Sequence, residues 1–139
     1  MGEVQKVPRP VVAITLWWRG RIGLFKRSTK VTFDKSLWHC ITGYLELDQT
    51  PAQQALVELK EETGLLLTDL DQFEAGPIIE LQDSFGRPWT VYTFCGETKK
   101  RRLSLNWEHE KYRWVSPRTV PRYIQVSWLK DVILNLNKP

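Results

Sequence analysis

An α+β layered domain is the fold class this sequence predicts, on three observations. Strand-like apolar runs and helical segments are interspersed without strict βαβ alternation, which argues against a doubly wound sheet. One helix carries start and stop signals at its two ends, and an amphipathic segment closes the chain. The length, 139 residues, fits a single domain over 1–139 with a real apolar core.

The elements follow in order. Val11–Trp18 is β-branched and apolar, Arg19-Gly20-Arg21 turns the chain, and Ile22–Lys26 returns, which reads as a hairpin. Arg27–Lys35 is polar loop, and Leu37–Thr42 is a short strand ending at Gly43. Thr50 caps a helix with Pro51 in its first turn and Gln53 three residues after the cap, and Gly64 stops it, so the helix spans Pro51–Thr63. An extended stretch around Gly76–Phe85 turns at Gly86-Arg87-Pro88 into a strand over Trp89–Phe94. The basic run Lys99–Arg102 reads most simply as a solvated loop, with a phosphate or RNA contact as the other reading, Arg113–Val115 as a last short strand, and Ser116-Pro117 as the cap of a short helical turn. Val126–Leu136 has apolar residues at helical spacing.

Composition narrows the function classes. A formal net charge of +4 favours anionic ligands but is too small to imply nucleic acid, which is not expected as a partner. Cys40 and Cys95 are too few for a disulfide framework, which favours a reduced, cytoplasmic protein. His39, Cys40, Cys95 and His109 match no zinc spacing. No apolar run suits a signal peptide or a membrane span, so no membrane partner is expected. Seven tryptophans raise the prospect of stacking on a planar ligand, and Trp17, Trp18, Trp38 and Trp89 are the candidates. Trp17 and Trp18 are neighbours on a strand and point to opposite faces, so only one of them can line a pocket.

The predicted helix poses the sharper question. Ala52, Ala55, Leu56 and Leu59 gather on its core side, with Glu58 and Glu62 one turn apart beside them and Glu61 adjacent. Like charges at i,i+4 repel, and acids near a helix C-terminus oppose its dipole. Folding gains nothing from that arrangement, whereas a hard divalent cation reverses the sign of each term; from the spacing alone, a surface acid patch screened by Lys60 and solvent is the commoner reading.

Gly43, the helix glutamates Glu58, Glu61 and Glu62, the aliphatic Leu59 and Leu65, and Gly64 together resemble a Nudix box, GX5EX7REUXEEXGU with U a bulky aliphatic. The sequence departs from it at Gln49, where the family has Glu, and at Val57, where it has Arg. The resemblance extends to Ile22–Ser28 and to Glu108 ahead of the last strand. It implies the Nudix fold, a mixed β-sheet sandwiched between helices. It also implies hydrolysis of a nucleoside diphosphate linked to another group, most simply a nucleoside triphosphate split to monophosphate and pyrophosphate, with Mg²⁺ or Mn²⁺. By the same resemblance Glu61, Glu62 and Glu58 are metal ligands together with Gly43. Glu58 doubles as a candidate catalytic group, Glu108 is the loop-borne base, and Glu110 is its understudy. Arg27 is placed to reach phosphates and Trp17 to stack on the base, so the substrate is a small nucleotide; a homodimer is left open. The altered pair Gln49 and Val57 motivates an alternative, a nucleotide-binding or sensing module with weakened turnover on the same fold.

Overall fold

The computed structural model describes residues 7–136. Its centre is β1 (Arg9–Trp18), which is apolar on both faces because both are covered. Val11 and Ala13 join one core cluster, and Val12, Ile14 and Leu16 join the other. The strand turns through Arg19 and Gly20, both at positive φ, into β2 (Arg21–Arg27), so the expected hairpin is present.

Leu37–Thr42 is not one strand. It divides into β3 (Trp38–His39) and β4 (Ile41–Tyr44), with Cys40 between them. The chain changes partner there: His39 lies opposite Phe25 of β2, whereas Ile41 lies opposite Ile14 of β1. The next helix, α1 (Pro51–Thr63), keeps its predicted bounds. Thr50 Oγ1 accepts from the Gln53 amide at 3.2 Å, Gln53 Oε1 accepts from the Thr50 amide at 3.0 Å, and Gly64 closes the helix at φ 77°. Such a cap contributes about 1 kcal/mol.

After a 3₁₀ turn at Leu67–Asp69 comes β5 (Leu70–Gln82), longer than the extended stretch expected from the sequence. Most of its residues are exposed or half-exposed, so it lacks the apolar alternation that marks a half-buried strand. β6 (Pro88–Thr98) pairs antiparallel with β5 and parallel with β1. β7 (His109–Val115) starts four residues earlier than Arg113 and pairs along β2. A 3₁₀ turn over Pro117–Arg122 precedes α2 (Leu129–Leu136), which begins three residues inside the expected segment.

The result is a mixed sheet ordered β3-β2-β1-β6-β5, with β4 added beside β1 and β7 beside β2. Ala55 and Leu59 of α1 pack in one cluster; Leu129 and Val132 of α2 pack in the other. The sheet therefore lies between helices, as the sequence predicts. Leu59 is fully buried, and burial of such a side chain stabilises by about 1.5–3 kcal/mol. The face of α1 differs from the expected one: Ala52 is exposed, while Gln54, Glu62 and Thr63 are buried with Ala55 and Leu59. The buried stripe is turned towards the acids because Gly43 and the start of β7 stand on that side. Among the described residues, no helix is long and apolar enough to cross a membrane.

Candidate active site

Two segments deliver carboxylates to one place. Glu58 and Glu62 come from α1, and Glu108 comes from the residue before β7. The Glu108 loop is tied to the end of β2: Ser28 donates its amide to Glu108 O at 2.8 Å and its hydroxyl to Trp107 O at 2.7 Å. Gly43 forms the opposing wall. A side chain there would overlap the Glu58 carboxyl, so glycine lets that carboxyl approach the β4 backbone closely.

Glu58 is half-buried and accepts from Gln54 Nε2 at 2.9 Å. Gln54 is buried, and its Oε1 also accepts from the Glu46 amide at 3.1 Å, so one neutral side chain joins the loop after Gly43 to the Glu58 carboxylate. Burial raises the Glu58 carboxyl above its ordinary range, helped by the Glu61 and Glu108 charges and opposed by the hydrogen bond from Gln54. Burial likewise raises Glu108, with the Arg27 charge opposing.

Glu62 is the extreme case. It is 0% exposed, and neither carboxyl oxygen has a hydrogen-bond donor. Burial first, then the Glu108 charge and the facing Glu58, hold its carboxyl well above the usual range. The facing Glu58 carboxyl therefore adds to burial in disfavouring the charged form of Glu62. His109 Nδ1 lies 3.7 Å from Glu62 Oε1, but this is no ion pair near neutrality. Burial, with Arg27, lowers His109 to about 4. His39 is fully buried, neutral and edge-on to Trp128, and burial is again the first cause of its lowered pKa.

A cavity of about 330 Å³ opens beside these groups, with Glu58, Glu108, Gly43, Glu46 and Arg27 on its wall. Arg27 Nε and Nη2 donate to Phe33 O at 3.2 and 3.1 Å, which fixes the guanidinium at the cavity side. The wall also carries five aromatic rings, Phe33, Tyr44, Trp89, Trp107 and Trp128. Arg87 is also there, 4.4 Å over the Phe33 ring, with its Nε 2.6 Å from Asp83 Oδ2. Asp83 also accepts from Trp89 Nε1 at 3.0 Å and from the Phe85 and Arg87 amides. Burial acts against its charged form, yet these donors prevail and hold its carboxyl below the usual range.

Of the residues anticipated from sequence, Gly43, Glu58, Glu108 and Arg27 meet at this cavity, and Glu62 lies buried behind Glu58. Glu61 is exposed, near enough for its charge to act on Glu58 and Glu108. Trp17 is not on the cavity wall: it packs against the α2-side core and donates Nε1 to Thr15 Oγ1 at 3.1 Å. Trp89 is the stacking candidate that does reach the cavity. Glu110 pairs with Lys26 at 3.1 Å. Gln54, Asp83 and Arg87 were not anticipated. Their signals were the i,i+4 spacings Gln54–Glu58 and Asp83–Arg87, which are too common to stand out.

The donor set suits a hard divalent cation: clustered carboxylates with raised pKa and two orphaned buried oxygens. Among the described residues, no three His, Cys, Asp or Glu side chains already converge in coordinating geometry.

A sequence model of the NUDIX domain matches residues 7–136. Similar solved structures include a MutT protein from Methanosarcina mazei Go1, with TM-score 0.80 and 18% identity over 95% of this chain and 94% of that one. The Escherichia coli dihydroneopterin triphosphate pyrophosphohydrolase gives TM-score 0.75 and 19% identity over 96% and 100%. The NUDIX domain of Shewanella oneidensis NrtR, solved with ADP ribose, gives 0.76 and 15% over 95% and 88%. At these identities the likeness is one of fold. An octanoyltransferase of Myxococcus xanthus is 31% identical over 101 residues, 69% of this chain but 27% of that protein, so this chain spans about a quarter of its length.

Proposed function

The chain belongs to the NUDIX domain family of hydrolases acting on pyrophosphate bonds, and from that premise we propose that it cleaves a nucleoside diphosphate linked to another group. The single observation that carries this reading is Glu62, a fully buried carboxyl with no donor, placed against Glu58. Its burial costs stability unless a cation joins it. Glu58, Glu62 and the Gly43 backbone would hold Mg²⁺ or Mn²⁺, with Glu61 adding charge at the exposed rim. When bound, the cation neutralises the diphosphate and polarises its phosphoryl oxygens.

The protein's own groups supply the rest. Arg27, pinned to Phe33 O, meets the phosphates from the β2 side. Glu108, with a raised carboxyl pKa, takes the proton of the attacking water as the water oxygen bonds to phosphorus and the bridging P–O bond breaks. Gln54 orients Glu58. The aromatic wall around Trp89 receives the base. A volume of about 330 Å³ lies at the low end of the roughly 300–1,000 Å³ range for ligand sites, which favours a single nucleoside over an enclosed dinucleotide. A nucleoside triphosphate split to monophosphate and pyrophosphate is therefore the leading substrate.

The loss of the Glu and Arg expected at Gln49 and Val57 favours one second reading, a nucleotide-binding module with weak turnover. A panel of nucleotides assayed with Mg²⁺ and Mn²⁺ for both phosphate and pyrophosphate release separates the two. Pyrophosphate release from a nucleoside triphosphate supports the hydrolase; metal-dependent binding without turnover supports the module.

A further inference from the structure

A second groove, of about 860 Å³, lies away from the candidate active site. Its cationic wall is Arg21, Arg101, Arg102 and Arg113, and no acidic residue lines it. Its aromatic wall is Trp18, Tyr112, Trp114 and Tyr123, all half-buried. Arg21 and Arg27 are the two ends of β2, six residue steps of about 3.3 Å, so the groove and the active site are roughly 20 Å apart.

The basic run Lys99–Arg102 is divided by the fold. Lys99 and Lys100 reach Asp71 at 3.6 Å and Asp69 at 2.9 Å. Arg101 and Arg102 face the groove instead, and none of its four arginines pairs with a carboxylate among the described residues. The loop is also held in place. Trp114 Nε1 donates to Arg101 O at 2.9 Å, and Tyr112 Oη accepts from the Leu103 amide at 3.0 Å. The Arg101 guanidinium lies 5.6 Å from the Trp18 ring centre, and the Trp18 and Trp114 rings are 6.0 Å apart. A net charge of +4 is unremarkable when spread over a surface, but four uncompensated arginines in one groove equal that whole excess.

We propose that this groove binds single-stranded nucleic acid, with phosphates on Arg21, Arg101, Arg102 and Arg113 and bases against the exposed parts of Trp114, Tyr112 and Tyr123. Guanidinium groups take phosphate in a fork, and half-exposed rings offer unpaired bases an apolar surface that a duplex cannot use. A plain polyanion would need the arginines alone. The mix of the two side-chain types selects the single strand, and it amends the expectation, drawn from net charge, that nucleic acid is no partner.

The test is fluorescence anisotropy of a fluorescein-labelled 12-nucleotide single-stranded RNA of mixed sequence, in EDTA so that binding is read apart from hydrolysis. Binding should weaken with salt at a log–log slope of about −3, from roughly −0.7 for each of four phosphate contacts. Arg101→Gln combined with Arg102→Gln, both exposed and so safe for folding, should weaken it at least tenfold with melting temperature unchanged. The same oligonucleotide as a duplex, and inorganic polyphosphate, should compete poorly. Absent binding, binding unaffected by the double substitution, or equal competition by polyphosphate would each overturn the proposal.

Discussion

At the scale of the residue, Glu62 concentrates the tension in this protein. A carboxyl whose folded pKa is raised contributes stability that is complete below its unfolded value, about 4.3, and is lost as pH rises towards the folded value. Glutamine does not titrate. In metal-free buffer, Glu62→Gln should therefore melt close to the parent near pH 4 and progressively above it by pH 8. Excess Mg²⁺ should stabilise the parent by mass action and leave the variant unmoved. Thermal melts across pH, with and without Mg²⁺, measure both effects; a variant that melts lower at pH 8 in EDTA contradicts the assignment. The acidic cluster was legible because its helix spacing falls within a run, Gly43 to Leu65, that resembles a Nudix box. The burial of Glu62 rather than Glu61 was not legible, because both lie near the apolar stripe and the sequence does not reveal how far the helix is rotated against the sheet.

At the scale of the element, α1 shows why some boundaries can be read and others cannot. Its two ends are fixed by local chemistry, the Thr50–Gln53 capping box and the left-handed Gly64, so the sequence is enough. The break between β3 and β4 follows from which neighbour each half pairs with, and β5 is an edge strand with weak alternation; neither is a local property. Gln54 belongs to this scale as well. Val57, where the box has Arg, is 39% exposed, while Gln54 joins the loop after Gly43 to the helix with two hydrogen bonds. Gln54→Ala removes the bond to Glu58 and leaves the Glu46 amide without its partner, at a cost of about 1–3 kcal/mol. Urea unfolding should register that loss, and steady-state kinetics should show kcat falling several-fold more than KM rises. An unchanged kcat would mean that Gln54 has no part in placing Glu58.

At the scale of the whole molecule, a mixed sheet brings three distant segments to one carboxylate cluster: Gly43 beside β1, Glu58 and Glu62 on α1, and Glu108 ahead of β7. The layered α+β class could be read from strands and helices interspersed without strict βαβ alternation. The parallel pairing of β1 with β6 could not, because it joins residues about eighty positions apart. For the same reason the cavity's far wall, with Arg87 held by Asp83, had no clear signature in the sequence, whereas the helix-borne carboxylates did. In the proposed function, this cluster serves divalent-dependent cleavage of a pyrophosphate bond. The most direct measurement is pyrophosphate released from the best nucleoside triphosphate by the parent and by Glu62→Gln, titrated with Mn²⁺, on samples shown to be folded. The account predicts saturable Mn²⁺ dependence in the parent and at least a hundredfold loss of turnover in the folded variant, an effect of about 2.7 kcal/mol on the barrier. Turnover by the variant at the parent's rate and Mn²⁺ dependence would contradict it.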